Sequence, residues 1–169
     1  TVEVSLKTMS TASTTSSPST TSTSPSQSTT YIALFNDEDY KLEKTLYQGK
    51  QSNVFKATDN VKQLSVIIKI HNVDLPSTKL RNKFIKEFEN GTKCNEAQAR
   101  HIIKYYDLKK VGRRLAVIME DFDAISLAEL LAKNTALELT HFLKIAIQLV
   151  EALAEIHQAG ITHQTICPR

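Results

Sequence analysis

The chain has 169 residues, with 21 Lys and Arg against 18 Asp and Glu, and a formal net charge of +3. That length allows one domain, or one domain with a tail, and so mild a positive excess without a Lys/Arg block reads as ordinary surface charge with no nucleic-acid partner. No apolar run approaches the roughly 20 residues that span a bilayer, residues 1–10 lack a signal-peptide pattern, and Cys94 and Cys167 have neither metal nor redox spacing, so the expectation is a soluble cytoplasmic protein with free thiols.

From about Thr8 to Thr30 nearly every residue is Ser or Thr, with Pro18 and Pro25 interspersed. Such a segment buries too little apolar surface to offset ordering entropy, which predicts a disordered tail over residues 1–30. It reads either as an inert spacer or as a phosphorylatable linker, given the pairs Ser17-Pro18 and Ser24-Pro25. Structure is expected from Tyr31. Tyr40 to Tyr47 and Asn53 to Thr58 read as strands around a polar turn, and Leu64 to His71 as a third strand carrying the run Val66-Ile67-Ile68.

Pro76 and Ser77 open a helix, with Ser77 as the cap and Leu80, Phe84, Ile85 and Phe88 on one face at spacings of three and four. His101 to Leu108 and Leu115 to Glu120 form a strand pair, and Gly112 supplies the tight turn between them. Ser126-Leu127-Ala128-Glu129 is a capping-box pattern for a short helix. A long helix follows from about Thr140 to Ala159, with Phe142, Ala146, Leu149, Leu153 and Ile156 as its buried stripe and Gly160 as its C-terminal cap.

From about Asp39 to Arg169 these elements and motifs resemble the N-terminal half of a eukaryotic-type Ser/Thr protein kinase. Four segments carry the resemblance: Val66-Ile67-Ile68-Lys69, the acidic helix around Glu87, the hinge-like Met119-Glu120-Asp121-Phe122, and Ile161 to Arg169. The ending also fits the H-x-D-I-x-P-x-N loop of kinase-like modules in large multidomain sensor kinases, through Ile166 and Pro168. The implied fold is α+β: a five-stranded antiparallel small lobe with one helix, then the first helices of a truncated large lobe, all within residues 31–169.

The resemblance also implies residue roles. Anchoring the G-x-G-x-x-G-x-V loop on Val54 puts Tyr47, Gly49 and Ser52 at the glycine places, so only Gly49 keeps the residue that lets backbone amides approach phosphate. Lys69 takes the place of the Lys that pairs with the α- and β-phosphates, and Glu87, eighteen residues on, that of its ion-pair partner; Glu89 competes but points elsewhere on the helix. Ile67 stands where a small Ala packs on adenine and should crowd it. Met119 is the gatekeeper, and Glu120 to Phe122 the hinge whose backbone meets the adenine edge.

His163 matches the structural His of H-R-D, while Gln164 replaces its Arg and Thr165 its catalytic Asp. A Thr hydroxyl accepts no proton at neutral pH, so orientation and general-base help are both lost. Cys167 lies where Lys or Asn is common, as an inert thiol or a reactive one. The Asn and the D-F-G Asp that hold Mg²⁺ fall after Arg169. Two functions stay open: a domain that binds ATP with Mg²⁺ and phosphorylates a protein substrate, or a catalytically inactive pseudokinase acting through a regulatory protein partner.

Overall fold

The computed structural model describes residues 39–72, 77–133, 137–163 and 166. The Ser/Thr-rich segment, residues 31–38, and Gln164, Thr165 and Cys167 lie outside these. In chain order the elements are β1 (Tyr40–Gln48), β2 (Ser52–Asp59), β3 (Leu64–His71), α1 (Thr78–Glu96), β4 (Tyr105–Val111), β5 (Arg114–Glu120), α2 (Leu127–Lys133) and α3 (Leu139–Gln158). The strands form one sheet in the order β1-β2-β3-β5-β4, and every neighbouring pair is antiparallel. The expected α+β architecture is therefore present, with one helix between strands three and four.

Alternation along the strands builds two apolar layers. Phe55, Ala57, Val66, Ile68, Ile70, Ala116 and Ile118 fill one face of the sheet, together with Tyr40. Curvature brings the sheet edges together there: Lys109 of β4 reaches Asp39 at 2.6 Å, its Nζ 4.7 Å from the Tyr40 ring centroid. On the opposite face Val117, Met119 and Tyr105 pack with Cys94 of α1 and with Ala152 and Ile156 of α3. Lys69 also points to that face, because it alternates with the buried Ile68 and Ile70.

Gly91 fixes how closely α1 approaches. A Cβ there would lie 2.3 Å from two ring atoms of Tyr105, so the helix backbone rests directly on that ring. Asn95, one turn on, donates to the Tyr105 carbonyl at 2.6 Å and accepts from its amide at 3.3 Å. These contacts explain why β4 starts at Tyr105 and not at His101 as expected. Where the expected strand would begin the backbone is occupied elsewhere, since the Glu155 carboxylate of α3 accepts the amides of Arg100 and His101 at 3.1 and 3.0 Å. Burial pushes the Glu155 carboxyl upward, but those bonds and the His101 side chain prevail and hold its pKa below the usual value.

Helix ends follow their residues with two exceptions. Gly160 has φ of 70°, and the bonds from Gly160 N–H to His157 and from Ile161 N–H to Ile156 close α3 in a Schellman pattern. The same pattern closes α1 without a glycine: Gln98 takes φ of 56° there. Ser126 Oγ accepts the Glu129 amide at 3.1 Å as its motif predicts. Ser77, by contrast, precedes α1 without a side-chain cap bond. The α3 stripe is also rotated from expectation. Ile145, Ala152 and Ile156 are its buried residues, of which Ala152 and Ile156 join the core beneath the sheet, whereas Phe142 is 55% exposed.

Candidate functional site

Strand register assembles most of the expected site on the α1 face of the sheet. Val54 pairs with Lys69, and Lys69 with Val117, making one cross-strand row. The next row runs Lys56, Ile67, Met119. Val54, Ile67 and Lys69 are partly buried, and Met119 is 1% exposed. Register alone thus gathers residues that lie far apart in sequence.

Lys69 reaches across to α1, where its Nζ lies 2.9 Å from Glu87 Oε1, with side-chain exposures of 15% and 6%. Glu87 sits one turn after Phe84 and one turn before Gly91, all three buried on the side of α1 that meets the sheet. Glu89 is exposed. A buried carboxylate without its cation would be strongly disfavoured, so the pair also fixes α1 against β3. Chemically it presents an ammonium held rigidly at a sheet surface, suited to an anionic oxygen.

Gly49 begins the β1–β2 turn. Its N–H donates to the Ser52 carbonyl at 3.1 Å and lies 3.3 Å from Asn53 Oδ1, while its carbonyl accepts from Asn72 Nδ2 at 2.5 Å. The Tyr47 ring lies over it: a Cβ on Gly49 would be 2.5 Å from Tyr47 Cε1. The turn is thus laced to the end of β3 through Asn53 and Asn72, neither of which the glycine pattern singled out. Their signal was weak, two isolated Asn residues in or beside strands.

His71, two residues after Lys69, is buried and stacks on Phe84 with ring centroids 3.3 Å apart and planes 17° from parallel. Among the described residues no hydrogen bond of ordinary geometry reaches either ring nitrogen, although the Gln51 backbone lies close by. Burial lowers its pKa to about 4, Lys69 and Lys83 push the same way, and the nearby Gln51 backbone opposes them.

β5 ends at Glu120, and the chain leaves it through Asp121 and Phe122 without regular structure. The Glu120 amide is bonded to the Lys104 carbonyl at 2.9 Å, and Phe122 is partly buried. Asp121, an unremarkable hinge residue by sequence, is tied to the sheet: it accepts from Ser65 Oγ at 2.6 Å and from Lys56 Nζ at 2.9 Å. Burial works to raise its pKa, but the Ser65, Asp123 and Lys56 contacts outweigh this and lower it. The buried His163 ends the path from α3, and Thr165 lies outside the described residues.

No group of three or more His, Cys, Asp or Glu placed to hold a metal ion occurs among the described residues, and no described helix is long and apolar enough to cross a membrane.

Residues 40–169 match the family described as Protein kinase domain. Among curated proteins, the chain is 28% identical over 130 residues to the serine/threonine-protein kinase PrkC of Bacillus subtilis, a match covering 76% of this chain and 20% of that protein. It is 27% identical over 136 residues to drp72 of Corynebacterium efficiens, described as serine/threonine-protein kinases, covering 77% and 26%. Against the serine/threonine-protein kinase PknE of Mycobacterium tuberculosis the identity is 25% over 130 residues, covering 76% and 22%. The chain spans only about a fifth to a quarter of the length of these relatives.

Proposed function

The chain belongs to the protein kinase domain family over residues 40–169, and from that premise we propose that it binds ATP while transferring phosphate poorly or not at all. The observation that carries the binding half is the Lys69–Glu87 pair at 2.9 Å, mostly withdrawn from solvent. In this reading Lys69 meets the α- and β-phosphates, Val54 and Ile67 cover the adenine, Met119 lines its inner end, and the Glu120–Phe122 backbone bonds its edge. Gly49 lets the β1–β2 turn approach the phosphates. The lost glycines and the bulk of Ile67 weaken binding. Mg²⁺ accompanies ATP in the family and adds charge neutralisation there; its ligands are expected after Arg169, and no residue of this chain is assigned to it.

The catalytic half rests on Thr165. Positioning and charge stabilisation supply nearly all of kinase catalysis, and the residue at this place orients the attacking hydroxyl. Its loss favours a domain that acts as a nucleotide-responsive regulatory module toward a protein partner over one that phosphorylates a protein substrate.

A thermal-shift titration tests the binding half. Wild type should gain melting temperature with ATP and Mg²⁺, and Lys69→Ala should abolish the gain; a wild type that shows no shift at millimolar ATP contradicts nucleotide binding. For catalysis, Thr165→Asp in the intact protein should raise autophosphorylation by about two to four orders of magnitude, the usual worth of a positioned acid–base group. Robust wild-type activity that this substitution leaves unchanged would contradict the role given to Thr165.

A further inference from the structure

Lys56, Ser65 and Asp121 form an ionic strut between the sheet and the hinge that the family motifs do not include. Lys56 belongs to β2 and Ser65 to β3, while Asp121 follows β5. The two Asp121 oxygens divide their work. Oδ2 accepts from Ser65 Oγ at 2.6 Å and from Lys56 Nζ at 2.9 Å, both on the sheet. Oδ1 accepts the amide of Asp123 at 2.9 Å, within the hinge itself. Lys56 also lies 3.3 Å from Asp123 Oδ1.

This arrangement has a mechanical consequence. Asp123 adopts φ of 55°, a left-handed conformation uncommon outside glycine that Asp takes more readily than most residues. The bond from its amide to Asp121 closes a local turn around Phe122, so the peptide that joins Phe122 to Asp123 is held by that carboxylate. That carboxylate is fixed in turn by the sheet. Its side chain is 7% exposed, while its partner Lys56 keeps 28% exposure. Lys56 stands beside Ile67 in the row that ends at Met119, so the anchor on the sheet adjoins the proposed adenine cover.

We propose that Lys56, Ser65 and Asp121 are positioning residues for the adenine half of the ligand, holding the Phe122 backbone at a set distance and angle from the Val54–Ile67 surface. The proposal rests on the nucleotide reading above and divides the site in two. Lys69 acts on phosphates, whereas the strut acts on the base.

Adenosine and ATP separate these roles in calorimetric titrations of the whole chain. Lys56→Met should weaken both ligands by the same factor, about tenfold, the order of one charge-assisted hydrogen bond. Lys56→Arg should restore both, and Lys69→Ala should weaken ATP but not adenosine. Without ligand, Lys56→Met should keep its cooperative melt yet speed amide exchange at Asp123. Wild-type affinity for both ligands in Lys56→Met overturns the proposal, as does a loss confined to ATP, which would make Lys56 a phosphate contact. Unchanged exchange at Asp123 overturns the strut by itself, whatever the ligand result. A wild type that binds neither ligand sinks the nucleotide reading and the adenine role together, and the exchange data then still report on the strut.

Discussion

His71 makes the stability of the fold depend on pH. Its ring is held neutral against Phe84, one turn of α1 before Glu87, and the charged groups that face it, Lys69 and Lys83, are both cationic. The native pKa of about 4 lies below the ordinary value of 6.5. Stability from this residue is therefore complete above pH 6.5 and is lost as pH falls from there toward 4, because the unfolded chain takes up the proton first. At about 1.4 kcal/mol per unit, the loss is on the order of 3 kcal/mol by pH 4. Urea melts of wild type and His71→Phe between pH 7 and 4.5 should diverge, the variant staying nearly flat. Parallel curves would mean that the ring is hydrated or paired. Asp121 and Glu155 carry lowered pKa values, so the stability they add is present above their ordinary values of 3.8 and 4.5 and is lost as pH falls from there, at the acid edge of this window.

At the level of elements, the seating of α1 governs the site, and Gly91 governs the seating. Replacing it with Ala puts a methyl 2.3 Å from the near end of the Tyr105 ring, which is itself buried and cannot swing aside. Helix propensity would gain roughly 1 kcal/mol. Overpacking should cost about 1–3 kcal/mol, and α1 must slide to relieve it, carrying Glu87 away from Lys69. Gly91→Ala is expected to lower the denaturant midpoint and shrink any ATP-induced melting shift, with Gly91→Ala/Tyr105→Leu recovering both. A stabilised single variant would show that the helix has slack.

Much of this level was legible. β-branched runs marked the strands, the spacing from Lys69 singled out Glu87, the carboxylate that lies 2.9 Å from its Nζ, and Gly112 and Gly160 marked the ends they occupy. What stayed hidden depends on contacts that no local pattern encodes. Lys56 and Asp123 meet although 67 residues separate them, and only strand register together with the hinge path brings them close. His101 looked like the start of a strand because nothing nearby announces that Glu155 takes its amide and that of Arg100. Phe142 looked buried because its spacing suits a stripe, yet helical periodicity fixes a face and not how far along it the partners extend.

Across the whole molecule, apolar surface is distributed unevenly. Both faces of the sheet are packed, but on α3 Leu139, Phe142, Leu143, Ile147 and Val150 are exposed along one side. A contiguous patch of that kind promotes association. Ile147→Lys with Val150→Glu should reduce concentration-dependent light scattering while changing stability by under about 0.5 kcal/mol each, as expected for surface positions. A large loss of stability would place these side chains in a packed environment.

ATP recognition by the two halves of one site is the central claim, and amide hydrogen exchange with and without saturating ATP and Mg²⁺ tests it most directly. Slower exchange at the β1–β2 turn around Gly49 and at the hinge from Glu120 to Asp123, with little change on α3, is the predicted result. Protection absent from the hinge, or confined to residues away from the Lys69–Glu87 pair, would contradict it.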